Sequence, residues 1–216
     1  MKNRYLLICC LMVLATLAVT LALYSQLPAR IPTHWNGRGE IDAYGPRAAV
    51  FVHTGFMVLF MLVWTVLPSI SPKRFTVDTF NATYWQICVI FVALFGYIQC
   101  ALVWSAFSPT TPINRALFGG LAISVGLLGN VMGKVRRNFW IGIRTPWTLA
   151  SERVWYSTHR FAAKTMVAGA VLSLASVLAG LPISICLGLL MAGPIVPVFY
   201  SLIVYKRLER LGGLEA

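Results

Sequence analysis

Apolar residues run along this chain in long, nearly uncharged blocks separated by short polar ones. Six blocks can be read, at residues 5–27, 48–70, 84–107, 116–133, 165–181 and 183–205. A helix rises 1.5 Å per residue and a bilayer core is about 30 Å thick, so about 20 residues cross it, and each block is long enough or close to it. The pattern predicts an all-α, polytopic membrane protein with six transmembrane helices. The last two blocks form one uncharged stretch of 41 residues, too long for a single span. The run Ala179-Gly180-Leu181-Pro182 is the expected turn within it, because Gly ends a helix and Pro starts the next. Lys2 and Arg4 precede the first block, as in a signal peptide. Its 23 apolar residues exceed an ordinary signal core, however, and no small-residue cleavage site follows, so it reads as a retained helix.

Composition supports the bilayer as the main solvent. The 216 residues are 58% hydrophobic and 11% charged, with a mean hydropathy of +0.76, where a soluble domain carries about 25% charged residues. The net charge of +12 sits in short basic blocks between apolar runs, a pattern of membrane orientation rather than of nucleic-acid binding. If the N-terminus, residues 71–83 and 134–164, and the C-terminal tail share one side, that side holds 14 of the 18 Lys and Arg residues. The other side holds four: Arg30, Arg38, Arg47 and Arg115. The positive-inside rule then makes the first side cytoplasmic, with both termini inside. Cys9, Cys10, Cys88, Cys100 and Cys186 all lie in apolar runs, with neither a disulfide framework nor metal-ligand spacing.

Within the spans the informative residues are small or kinking ones. Ala122-x-x-x-Gly126 and Gly129-x-x-x-Gly133 let helix backbones approach closely and predict a packed interior helix. Gly193, Pro194 and Pro197 predict a kink or local unwinding in the last span. No Asp, Glu, Lys or Arg lies within the six blocks. His53, near the outer end of the second, is the one titratable candidate, and Gln86, Gln99 and Asn130 are the other strongly polar residues. That scarcity weighs against ion-coupled transport, which needs ionisable groups along a pathway, and against intramembrane proteolysis.

Two loops carry more. The outer one, QLPARIPTHWNGRGEIDAYGPR, is rich in Pro and Gly and reads as an ordered cap with aromatic anchors at Trp35 and Tyr44. Asn36-Gly37 is expected to supply positive φ for a tight reversal. His34, Glu40, Asp42 and His53 are oxygen and nitrogen donors for a metal, but their spacing matches no ligand pattern, and no metal or other cofactor is called for.

The inner loop packs Lys134, Arg136, Arg137 and Arg144 into eleven residues and continues as NFWIGIRTPWTLASERVWYSTHRFAAK. Gly142 lets the chain turn and Pro146 stands outside a helix interior. Thr148 or Ser151 is expected to cap a helix that runs on into the fifth span, with Glu152 in its first turn. Glu152, Trp155 and His159, at i, i+3 and i+7, fall on one face, and Glu152 has Arg144 or Arg160 to neutralise. A purely topogenic loop needs only its cations, with Trp residues as ordinary interface anchors. Three tryptophans, a Thr-Pro pair and a Glu/His face go beyond that need.

The two loops together resemble a known family. LPARIPTHWNGRGEIDAYGPR is similar to a bacterial domain of unknown function with the pattern L-P-x-x-I-P-x-H, then an aromatic, then a conserved-spacing Gly, Asp and aromatic. GNVMGKVRRNFWIGIRTPWTLASERVWYSTHRFAAK resembles the signature of the SdpI family, bacterial integral membrane proteins. The resemblance covers both halves in order and implies a multi-pass protein of the bacterial cytoplasmic membrane. It also implies a non-enzymatic role: immunity to a secreted peptide toxin, membrane signalling by binding a cytoplasmic partner, or both, as the best-known member protects a sporulating cell from its own toxin and holds an autorepressor at the membrane. The distinctive inner residues are Asn130, Asn138, Gly142, Arg144, Thr145, Pro146, Trp147, Trp155, Thr158, His159 and Arg160. With Glu152 they form the candidate inner binding set, without Thr158. Pro32, His34, Trp35, Asn36, Gly39, Asp42 and Tyr44 form the outer one.

Partners follow from this: the lipid bilayer, a peptide toxin outside, and a regulator or anionic lipid inside, with no nucleic acid and the oligomeric state open. The domain organisation expected is a two-helix unit at 1–70 with an ordered outer loop at 28–47, a third helix with its connections at 71–115, an SdpI-like region at 116–205 with an inner loop at 134–161, and a basic tail at 206–216. Two other classes remain open. A small-solute transporter or channel draws on the kinked last helix, His53 and the polar span residues. A membrane-interface enzyme would use Glu152 and His159 as acid and base with Arg144 as anion clamp, although on a helix two turns, about 10 Å, separate that pair.

Overall fold

The computed structural model describes residues 2–37, 40–108 and 113–214. In chain order the elements are α1 (Lys2–Tyr24), a hairpin of β1 (Arg30–Trp35) and β2 (Ile41–Pro46), α2 (Val52–Val66), α3 (Asn81–Phe107), α4 (Ile113–Met132), a short α5 (Pro146–Ala150), α6 (Glu152–Leu178) and α7 (Ile183–Arg210). Short 3-10 turns extend α2 to Arg47–Ile70 and α3 back to Asp78. Among the described residues six helices are long and apolar enough to cross a membrane, as the six blocks predict. The fold is an all-α, polytopic membrane protein, and the outer loop adds one two-stranded hairpin to it.

Burial explains why apolar residues face both ways. Leu7, Leu14, Leu62, Val171, Leu178 and Phe199 are exposed, as residues against lipid acyl chains must be. The interior instead collects small and aromatic residues. Around α3 the buried cluster includes Cys9, Met57, Trp64, Tyr84, Trp85 and Cys88. Tyr84 and Trp64 stack at 4.6 Å and exchange bonds: Trp64 Nε1 donates to Tyr84 O (3.1 Å) and the Tyr84 hydroxyl to Trp64 O (2.6 Å). A second core joins Ala122 of α4, Ala170 of α6 and Leu190 of α7.

The small residues act as the sequence predicts. A Cβ on Gly129 would lie 2.8 Å from Met166 Cβ, and one on Gly193 would lie 2.9 Å from Met166 Cα. These approaches close α4 and α7 onto α6 to near backbone contact, where dispersion rather than hydrophobic exclusion holds helices in lipid. Of the kink or local unwinding expected at Gly193 to Pro197, the unwinding does not occur, and α7 is helical throughout. Pro197 has no N–H for Gly193 O, but the Thr165 hydroxyl of α6 donates to that carbonyl at 2.7 Å, so the freed acceptor is satisfied. The turn at residues 179–182 forms as expected, with Gly180 at φ +76° and Pro182 starting α7.

Contacts at the helix ends put the termini and both basic loops at one end. Lys2 lies over the Trp85 ring, Trp140 Nε1 donates to Ser71 Oγ (2.5 Å), and Arg153 Nη1 donates to Gly213 O (3.2 Å). At the opposite end the hairpin packs Ile31 against Leu102, Val103 and Ala106, while Arg115 Nη2 donates to Gly180 O (3.2 Å). Among the polar span residues, Gln99 is buried and donates to Thr20 Oγ1 (3.1 Å), which bonds Thr16 O within α1 (2.8 Å).

Candidate functional site

Past α4 the chain turns through Lys134 N–H to Val131 O and Val135 N–H to Met132 O, which buries Val135. The next turn is built around Asn138, which is fully buried. Its Nδ2 donates to Arg136 O (2.8 Å) and Ile141 O (2.9 Å), and its Oδ1 accepts from Trp140 N and Ile141 N, both at 2.7 Å. One amide side chain thus replaces the backbone pairing this irregular segment lacks, the reason Asn suits turns.

Gly142 follows at φ +113°, a conformation other residues rarely take. It leads Ile143 N–H to His159 Nε2 at 3.0 Å. His159 Nδ1 lies 2.8 Å from Trp155 O. A carbonyl only accepts and an N–H only donates, so Nδ1 carries the proton, Nε2 is bare and the imidazole is neutral. The ring stacks on Trp155 at 4.1 Å and 17°, and both are fully buried. Trp155 Nε1 in turn donates to Val135 O (2.8 Å), tying α6 to the start of the loop.

The second half is fastened by Thr145 and Thr148. Thr145 caps α5: Thr148 N donates to Thr145 Oγ1 (3.3 Å), Thr145 N donates to Thr148 Oγ1 (2.9 Å), and Pro146 sits in the first turn. Thr148 Oγ1 also donates to Ile143 O (2.8 Å). Trp147 Nε1 donates to Ser201 Oγ of α7, which anchors α5 on the bundle.

The inner candidate residues therefore divide. Asn138, Gly142, Thr145, Trp147, Trp155 and His159 are internal fasteners of one hydrogen-bonded platform. Thr158 is fully buried too, and its hydroxyl has no hydrogen-bond partner among the described residues. Arg144, Pro146, Glu152 and Arg160 are exposed. Arg144 lies over the Phe139 ring, 4.7 Å from its centroid, and the pair stands on the surface of the platform. Asn130 does not join the platform; it is exposed on α4 and shares a lipid-side groove with Gln86.

Two expectations need correction. Glu152 does not share the buried face of Trp155 and His159, because the first turn of α6 projects it outward, with its side chain 53% exposed. Its partner is Arg137 (3.4 Å), not Arg144 or Arg160. The α5 cap is Thr145, and Ser151 begins α6 without a side-chain cap bond. Ser71, Val135 and Ser201 take part without having been singled out, and none had a local signal, while Thr148, expected as a cap, serves as the partner of the Thr145 cap.

The outer set forms the hairpin, with Pro32 opposite Tyr44 and Trp35 opposite Ile41. Pro32 is buried, Trp35 and Asn36 half-buried, and His34, Asp42 and Tyr44 exposed. His34 Nδ1 is 2.5 Å from Asp42 Oδ1. Neither Asn36 nor Gly37 takes positive φ. The reversal closes instead through Asn36 N–H to Glu40 O (2.9 Å), Asn36 Oδ1 accepting from Glu40 N (3.1 Å) and Asn36 Nδ2 donating to Glu40 Oε2 (2.7 Å), a wider loop that relieves the need for a two-residue turn. Gly39 and Arg38 lie outside the described residues. Among the described residues no three His, Cys, Asp or Glu side chains gather as metal ligands.

Residues 134–204 match the model of the SdpI/YfhL protein family, and residues 11–58 match a domain of unknown function, DUF1648. The chain thus resembles an SdpI/YfhL region placed behind a DUF1648 domain. It is also 26% identical over 194 residues to the immunity protein SdpI of Bacillus subtilis (strain 168), covering 88% of this chain and 90% of that one. No solved structure matches. The SdpI/YfhL match begins at Lys134 and takes in the platform except Ser71, with α6 and most of α7. The DUF1648 match takes in most of α1, the hairpin and the start of α2. The two matched regions thus hold the two structured loops, at opposite ends of the bundle. The protein is an SdpI-like, multi-pass membrane protein.

Proposed function

We propose that this protein is a non-enzymatic immunity protein of the bacterial cytoplasmic membrane. Its outer hairpin meets a secreted peptide toxin, and its inner platform engages a cytoplasmic protein partner. The observation that supports this reading is the pairing of two built loops at opposite ends of the bundle, each within a region that a family model matches, in a chain similar over most of its length to the immunity protein. A rigid loop that displays Arg144 over Phe139 suits recognition, because little ordering entropy remains to be lost when a partner binds.

The geometry gives the other classes less support. Both ring nitrogens of His159 are engaged by backbone groups and the ring is buried, while Glu152 faces outward to Arg137, so the two cannot act as an acid/base pair on one substrate. Gln99 bonds across a helix interface. The test is survival of a toxin-sensitive strain expressing the protein when challenged with a panel of secreted peptide toxins. At least tenfold higher survival against one toxin is expected, and it should fall on replacing Tyr44 and His34 together by Ala. Unchanged killing across the panel overturns the reading.

A further inference from the structure

Between α6 and α7, at the end where the termini gather, lies a cavity of about 460 Å³ whose lining includes Arg153, Ser157, Arg160, Phe161, Lys164 and Tyr200. Among the described residues no carboxylate lines it. Three of its residues are cations at i, i+7 and i+11, which an α-helix places on one face along about 16 Å. Glu152 is engaged with Arg137 and Glu209 with Lys206, and Asp78 lies on a neighbouring cavity that shares Arg160 but forms no ion pair with it among the described residues. Among the described residues, Arg160 and Lys164 have no hydrogen-bond, ion-pair or ring partner. Ser157 Oγ and the Tyr200 hydroxyl are 3.3 Å apart, so one donates to the other and one O–H stays available to a further acceptor.

The same face of α6 continues past Lys164 into exposed apolar residues: Val167 (37%), Val171 (60%) and Leu178 (79%). An occupant therefore meets cations and hydroxyls at one end and an aliphatic stripe running into the membrane at the other. A free anion uses only the first part, and an acidic soluble protein cannot follow the second. We propose that this cavity is a specific site for the phosphate of an anionic diacyl phospholipid, whose acyl chain lies along Val167, Val171 and Leu178. Arg153 and Arg160 grip the phosphate, Lys164 adds charge at the interface, and Phe161 closes the floor where headgroup gives way to chain. This site is distinct from the displayed Arg144 and does not depend on the immunity reading.

The experiment uses the purified full chain in neutral detergent, with lipid retention read by native mass spectrometry and stability by thermal melting. Phosphatidylglycerol should be retained and raise Tm, whereas phosphatidylcholine and glycerol 3-phosphate should do neither. Near a membrane surface each cation is worth roughly fivefold in affinity, so Arg160→Gln with Lys164→Gln should weaken phosphatidylglycerol binding about thirtyfold. Arg207→Gln with Arg210→Gln removes the same charge elsewhere and should leave binding within about twofold. The swap Arg160→Lys with Lys164→Arg should keep most of it, which separates lost charge from lost fold. Equal stabilisation by phosphatidylcholine would reduce the site to an acyl groove, and equal stabilisation by glycerol 3-phosphate to an anion site. Equal loss in the two Gln variants would reduce it to diffuse surface charge, and capture of an acidic peptide that phosphatidylglycerol does not displace would make it a protein site. Each of these overturns the proposal.

Discussion

A methyl group added to Gly142 would lie 2.2 Å from Nε2 of His159. The glycine and the histidine are thus a matched pair, 17 residues apart. The backbone must pass directly over the imidazole for Ile143 N–H to reach it, and only a residue without Cβ, able to hold φ +113°, can make that pass.

Gly142→Ala should therefore detach the loop from α6. Forcing the backbone conformation on Ala costs about 1–3 kcal/mol, and losing the buried Ile143–His159 bond costs a further 1–3 kcal/mol or so. Limited proteolysis of inverted membrane vesicles should show cleavage within residues 136–150 that the wild type resists. Equal resistance would show that the contact is not what holds the loop.

His159 should behave as a fastener. His159→Ala removes an acceptor from Ile143 and a ring from Trp155, and is expected to cost about 2–4 kcal/mol. His159→Gln keeps a side-chain acceptor and should recover part of that loss in thermal melting. A catalytic histidine would give a different result, with both variants inactive and both melting like the wild type.

The two glycines of α7 should respond in opposite directions. Gly188 has open space where a Cβ would stand, so Gly188→Ala should raise stability by about 0.5–1 kcal/mol through helix propensity alone. At Gly193 the new methyl would press on Met166 Cα at 2.9 Å and Thr165 O at 3.0 Å, which are backbone atoms and cannot step aside. Gly193→Ala should cost about 1–3 kcal/mol. Thermal melts in detergent read both, and a shift of the same sign in both variants would refute the packing argument.

The outer ion pair is suited to functional mutation. His34 and Asp42 are 67% and 43% exposed in their side chains, so their contact contributes under about 1 kcal/mol. His34→Ala should melt within a degree or two of the wild type, so any loss of toxin survival in that variant reports recognition.

The number of spans and the side shared by the basic loops were legible because they rest on run length and charge, properties that local sequence states directly. Gly180 and Gly142 were legible as turns for the same reason. Glu152 was misplaced because helical spacing fixes the angle around α6 and not the depth along it: it lies within about 20° of His159, yet the loop that buries Trp155 and His159 leaves Glu152 in the first turn exposed. Trp147 could be singled out, but its partner Ser201 lies 54 residues away on another helix, a distance no local pattern spans. Asn36-Gly37 suggested a two-residue turn from dipeptide chemistry, yet the Asn36 side chain closed a wider one around Glu40. The family signature marked distinctive positions without distinguishing fasteners from displayed residues, since both kinds are constrained.

That distinction makes the sharpest test of the inner face. Trp147→Ala removes an anchor between α5 and α7, so it should destabilise the platform by about 3–5 kcal/mol and expose it to protease. Arg144→Ala removes an exposed cation resting on Phe139 and should cost under about 1 kcal/mol, leaving the loop protected. In a crosslinking pull-down from membranes, both variants should lose the cytoplasmic partner, but only Trp147→Ala should also lose its fold. If Arg144→Ala captures the partner as well as the wild type does, the displayed pair is not the contact surface. The partner would then have to read some other exposed part of the platform, with Pro146 the next residue to replace.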